Sequence, residues 1–153
     1  EALSTLRIEM GHVAGSELDG RTIPYDNGLE GMISKKKDFI GKRSLNRKAF
    51  IAEDRQKVVG VVPIDKKTSI PEGSHLVRDA KAQLPNPKLG YISASCWSVE
   101  YDNPFSLAII KDGKNMIGQK LFAMSPLRNK IIAVEIVSSH YVDPKGERVR
   151  SWQ

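Results

Sequence analysis

Six short runs rich in β-branched and aromatic residues follow one another between positions 57 and 139, and turn formers separate them. They read KVVGVVPI (57–64), SHLVRD (74–79), LGYISASCW (89–97), FSLAIIK (105–111), GQKLFAMS (118–125) and KIIAVEIVSS (130–139). Such side chains fit a pleated, half-buried surface. Asp112-Gly113 and Asp143-Pro144-Lys145-Gly146 are turns on chemical grounds, because glycine tolerates positive φ and proline presets φ at a corner. With no helical periodicity between them, six short strands predict an antiparallel barrel or jelly roll over 56–153. Its core is expected to hold Val59, Val61, Ile92, Ala94, Leu107, Ile109, Val134 and Ile136. Strict alternation along the third run sets Tyr91, Ser93, Ser95 and Trp97 on one face and Ile92, Ala94 and Cys96 on the other, with the second set in the core.

The first 55 residues differ in character. Leu3, Leu6 and Met10 stand at helical spacing and predict a helix over 1–10 with one apolar face. A Gly- and Asp-rich connection follows, then a short strand at 29–34 and a second helix from about Gly41 to Ala52. The fold class expected is therefore α+β dominated by β, a six-stranded barrel preceded by a helix-strand-helix segment. The chain opens at Glu1 without a methionine or a capping residue. That opening reads as the carboxy-terminal piece of a longer polypeptide, or as the product of a trimmed tag.

Composition narrows the function classes. The chain has 153 residues, 40% hydrophobic and 27% charged, and no run nears the ~20 apolar residues of a membrane-spanning helix. The single cysteine, Cys96, excludes an internal disulfide and is consistent with a reducing cytosol, so a cytoplasmic location is expected. His12, His75 and His140 lack companions at metal-ligand spacing. Neither a phosphate-cradling glycine loop, nor a GxGxxG fingerprint, nor a GxSxG elbow is visible. On these residues alone the chain is not a self-sufficient enzyme, and no catalytic or metal-binding residue is assigned to it.

The net charge of +6 is concentrated. KKKDFIGKRSLNRK, residues 35–48, holds seven basic side chains and one acid, and the remainder, with 17 of each sign, is neutral. A local patch of this kind focuses potential on anions in a salt-dependent way. It serves as a solvated loop, or it attracts an acidic partner or ligand. Nucleic acid is disfavoured, because only Phe39 and Phe50 are at hand to stack on bases.

Glu9 stands out because it lies between Ile8 and Met10, where an unpaired buried carboxylate would cost several kcal/mol. A salt bridge to Arg7 or Arg43, plain exposure, or a ligand with two donors would each resolve that conflict. Arg43 opens the second helix, where the helix dipole disfavours a cation and so favours an anionic partner. Tyr91, Trp97 and Tyr101 pack, cover a neighbour, or stack on an aromatic ligand.

Four pieces, EALSTLRIEMGH, ELDGRTIP, DNGLEGMISKKK and DFIGKRSL, stand in order over residues 1–45, followed by GYISASCWS, PFSLAIIKDGKNMIGQKLF and YVDPKGERVR. In order and spacing they resemble the folate-binding region shared by the glycine-cleavage T-protein (an aminomethyltransferase), dimethylglycine dehydrogenase and the sarcosine oxidase alpha subunit. EALSTLRIEMG and the three lysines before DFIGKRSL resemble the last of these most. The resemblance implies that residues 1–55 end a folate-binding body and that 56–153 form its terminal six-stranded barrel. It implies tetrahydrofolate as the cofactor, with flavin and dinucleotide bound elsewhere in a larger assembly. The implied partners are an upstream part of the same polypeptide and other sarcosine oxidase subunits, and the implied role is to help pass a one-carbon unit from an oxidised N-methyl amine to tetrahydrofolate. Arg7-Ile8-Glu9-Met10-Gly11 matches the family's R-x-E-x-G motif, which implies that Glu9 holds the pterin. Arg43, with Lys42, is the implied tail ligand, and Tyr91 and Trp97 are candidates to stack on the p-aminobenzoyl ring. A departure lies in the loop after Ser98, where Val99 replaces the proline usual in the family.

Overall fold

The computed structural model describes residues 1–81 and 87–151. Helix α1 (Ala2–Glu9) opens the chain, a 3₁₀ turn follows at Gly15–Glu17 and another at Glu30–Met32, and two short helices, α2 (Lys42–Leu45) and α3 (Lys48–Ile51), lead into the sheet. Six strands follow: β1 (Lys57–Pro63), β2 (His75–Val77), β3 (Gly90–Ser98), β4 (Asn103–Ile110), β5 (Lys120–Ser125) and β6 (Lys130–Val137). They close into an antiparallel barrel in the order β1-β4-β3-β2-β5-β6, with β6 returning to β1. All six predicted strands are present, and closure removes the free edges that an open sheet would expose.

The segment before the barrel departs from expectation in two places. No strand forms at 29–34: Gly28 takes φ +71° and Glu30–Met32 turns as a 3₁₀ helix. The helix expected from Gly41 to Ala52 is two four-residue pieces, because Arg47 between them is extended at φ −64°, ψ 141°.

Helix α1 forms where predicted but buries a different side. Leu3 and Leu6 are 80% and 57% exposed, whereas Ile8 and Glu9 are buried against β3 and β4. Two apolar clusters result. Val59, Val61, Ile92, Ala108, Val134 and Ile136 belong to the barrel interior, and Ile8 joins Ala94, Phe105 and Leu107 in a second cluster on the outer face beneath α1. All eight predicted core residues are buried, but Ala94 and Leu107 lie in the outer cluster. Ile109 alternates with Ala108 and Ile110 and therefore also faces outward.

The cause is a β-bulge. Ile92 pairs with Ala108 and Ala94 with Leu107, so Ser93 is the extra residue. Its hydroxyl donates to the Leu107 carbonyl at 3.1 Å and its carbonyl accepts from Ser16 Oγ at 3.1 Å. An inserted residue reverses the facing of everything after it. Ala94, Cys96 and Ser98 thus face α1, and Ser95 turns inward to meet Ser106 at 2.9 Å. Tyr91 and Trp97, expected on one face, stand on opposite faces.

Candidate functional site

The C-terminal end of α1 is fixed from both sides. Gly11 adopts φ +69°, the left-handed conformation that ends a helix, and a Cβ there would stand 2.6 Å from the Ser139 carbonyl oxygen. The Glu9 carbonyl accepts from the Tyr141 and Val142 amides, each at 3.1 Å. The glycine of R-I-E-M-G is therefore required by a close backbone approach, and the segment after β6 holds the glutamate's backbone.

Glu9 itself is 5% exposed. Its Oε1 accepts from Ser98 Oγ at 2.6 Å, and Ser98 is fully buried. Ser98 Oγ in turn accepts a longer bond from the Tyr101 amide at 3.4 Å. Among the described residues no cation pairs with Glu9 and Oε2 accepts nothing. Arg7 turns instead to the buried Glu17, with Nη1 3.3 Å from Oε2. Glu17 also accepts from the Ala14 amide at 2.9 Å and from Ser16 Oγ at 3.2 Å.

Aromatic rings stand on the same outer face. Tyr141 stacks on Phe105 with centroids 4.3 Å apart and meets Tyr101 edge-on at 4.7 Å, and its hydroxyl accepts from Asn103 Nδ2 at 3.1 Å. Burial, with the Glu9 charge adding to it, pushes the Cys96 thiol up to about 11, against an opposing contribution from Arg7. The arrangement is a buried carboxylate with one oxygen bonded to Ser98 and, among the described residues, no partner on the other. It suits a ligand edge that presents two donors side by side.

The other predicted residues lie elsewhere. Arg43 is exposed, and its guanidinium makes no hydrogen bond or ion pair among the described residues. Lys42 is committed locally, its Nζ donating to the carbonyls of Lys35 and Lys37 and to Asp38. Tyr91 lines a groove of about 570 Å³ with Arg21, Arg55, Lys88 and Lys111, seven residues from Ser98 and thus roughly 23 Å along the strand. Trp97 is 47% exposed and its indole N–H donates to Asp102 at 3.2 Å. The structure does not gather Glu9, Arg43, Tyr91 and Trp97 into one site.

Ser98, Asn103 and Tyr141 were not picked out from the sequence, nor were two anchoring acids. Arg55 grips buried Asp26 with Nε and Nη2 at 2.6 and 2.7 Å, which raises the arginine's pKa through those hydrogen bonds. Glu17 and Asp26 head the pieces ELDGRTIP and DNGLEG, so an acid opening each piece was the available signal. Among the described residues no group of three or more His, Cys, Asp or Glu side chains could hold a metal, and no helix is long and apolar enough to cross a membrane.

The fold matches that of part of a glycine-cleavage aminomethyltransferase. The crystal structure of glycine cleavage system aminomethyltransferase T from Bartonella henselae superposes with a TM-score of 0.75 at 21% identity, over 94% of this chain and 38% of that one. In sequence the chain is similar to sarcosine oxidase subunit alpha of Rhizobium meliloti (strain 1021), 38% identical over 151 residues, and of Corynebacterium sp. (strain P-1), 35% identical over 151 residues. An aminomethyltransferase of Thermosipho melanesiensis is 26% identical over 137 residues, 89% of this chain and 35% of that protein. The matches to the sarcosine oxidase subunits cover 97% of this chain, which spans 15% of the length of those relatives. No family model matches the chain.

Proposed function

We propose that this chain is the carboxy-terminal folate-binding part of a sarcosine oxidase alpha-subunit-like protein, in which Glu9 holds the pterin of tetrahydrofolate. The supporting observation is the Glu9 carboxylate, buried and, among the described residues, without a cation and fixed through only one oxygen, on a fold shared with an aminomethyltransferase. The pterin 2-amino group and N3–H form two adjacent donors, and an ionised carboxylate accepts such a pair through short, charge-assisted bonds. Tetrahydrofolate, when bound, supplies the amine nitrogens that take up a one-carbon unit. This chain's residues bind and orient it: Glu9 fixes the pterin edge, the Tyr141–Phe105 stack closes the wall behind, and the guanidinium of Arg43, unpaired among the described residues, is the candidate for the tail carboxylates. Residues 1–55 end the folate-binding body and 56–153 form its barrel.

The catalytic acid or base and the flavin that oxidises the N-methyl amine belong to other parts of a cytoplasmic, multi-subunit enzyme. The bare apolar face of α1 at Leu3 and Leu6 is where an upstream part of the same polypeptide packs.

The exposed lysines at 35–37 favour a second reading, a barrel that docks an acidic protein. Calorimetric titration of the intact protein with tetrahydrofolate at low and high salt separates the two. Binding that survives high salt supports the pterin site, whereas no folate binding, with salt-sensitive capture of an acidic polypeptide, supports docking.

A further inference from the structure

The hydroxyl of Ser98 has its direction imposed on it. Its oxygen accepts from the Tyr101 amide at 3.4 Å, and its proton points to Glu9 Oε1 at 2.6 Å. Ser98 is fully buried at the end of β3, next to the turn where Asp102 takes φ +49°. It faces α1 only because the bulge at Ser93 shifts the alternation of the strand. The backbone of Glu9 is held independently by the two amides of Tyr141 and Val142. The carboxylate therefore has one torsionally locked oxygen, and the position of Oε2 follows from it.

We infer that Ser98 is a positioning residue for ligand recognition: it locks the Glu9 carboxylate so that Oε2 and the remaining lone pair of Oε1 together accept a paired-donor edge. This rests on the assignment of Glu9 to the pterin and extends it to the group that orients the acid. A glutamate free to rotate about its last bond would meet the two donors in the required plane only part of the time. A neutral hydroxyl achieves the orientation without the charge that a lysine or arginine would bring, which would compete with the ligand for the same oxygens.

The test is a double-mutant cycle in the intact protein, with tetrahydrofolate affinity read by calorimetry and melting temperature recorded for each variant. Glu9→Gln is expected to weaken binding by roughly ten- to a hundredfold, and Ser98→Ala by roughly tenfold. Because Ser98 acts through Glu9, adding Ser98→Ala to Glu9→Gln should change the affinity little further. Ser98→Thr restores a hydroxyl and should recover most of the affinity lost in the alanine variant. Ser98→Cys, close in volume with a weaker donor, should fall between and carries the comparison if the alanine variant does not fold. Wild-type affinity in Ser98→Ala, or losses that simply add in the double variant, overturns the positioning role and leaves the Glu9 assignment standing. Unchanged affinity in Glu9→Gln overturns both.

Discussion

Arg7 Nη1 lies 3.3 Å from Glu17 Oε2 and forms no ion pair with Glu9, two positions along its own helix. Residues two apart on a helix do not face one another, so the arginine that precedes the motif glutamate cannot neutralise it there and serves a different acid. The motif therefore divides into an anchoring half and an open half. Glu17→Gln should destabilise the protein by about 2–4 kcal/mol, since it removes one partner of a pair whose acid is fully buried. Glu9→Gln should lose no more than about 1 kcal/mol, because the Gln oxygen can still accept from Ser98. Chemical denaturation of both variants checks the contrast.

Asp26 and Arg55 make the corresponding bond within the leading segment, two residues before β1 begins. Asp26→Asn removes the charge from a bidentate pair, and the Asp26 carbonyl also holds the Val58 amide at 2.8 Å. Amide protection should fall across 24–55 while β5 and β6 stay protected in hydrogen exchange. Arg55→Lys should not rescue the bond, because an ammonium lacks the planar two-donor fork.

The strands of the barrel were legible because local side-chain chemistry specifies them: KVVGVVPI and KIIAVEIVSS can hardly be anything but strands. Facing was not legible past Ser93, since alternation is reliable only while no residue is inserted, and the small residues of S-A-S carry no mark of a bulge. Glu9 could be singled out because a carboxylate between Ile8 and Met10 is an anomaly within three residues. Its partner could not be found, because Ser98 lies 89 positions away and only the fold brings the two together. The supposed strand at 29–34 failed for a local reason, the positive φ of Gly28 that starts a tight turn.

Two glycines should respond oppositely to alanine. A Cβ on Gly90 would stand 2.1 Å from the Ile109 carbonyl oxygen, a backbone atom of the paired strand that cannot step aside, whereas Gly20 has nothing within 4 Å. Gly90→Ala should lower stability by about 2–3 kcal/mol. Gly20→Ala should leave it within about 0.5 kcal/mol, or raise it slightly by restricting the unfolded chain. Paired thermal melts test this.

Cys96 reports on the charge of Glu9. Burial is the larger cause of its raised pKa of about 11, and the glutamate charge adds to it. The thiolate is therefore scarce at neutral pH, and alkylation by iodoacetamide should be slow there and accelerate only toward pH 11. Glu9→Gln should shift the rate–pH curve to lower pH, and an unchanged curve would mean that the carboxylate carries no charge near the thiol.

The most direct measurement of the central claim is the affinity of the intact Glu9→Gln variant for tetrahydrofolate, taken beside the rate at which the amine substrate reduces the flavin in the same preparation. The substitution exchanges an accepting oxygen for a donor that meets the pterin N–H groups. Affinity should therefore fall by one to two orders of magnitude, about 1.5–3 kcal/mol, while flavin reduction keeps its wild-type rate. Unchanged folate affinity in a folded variant would contradict the claim and remove Glu9 from the pocket.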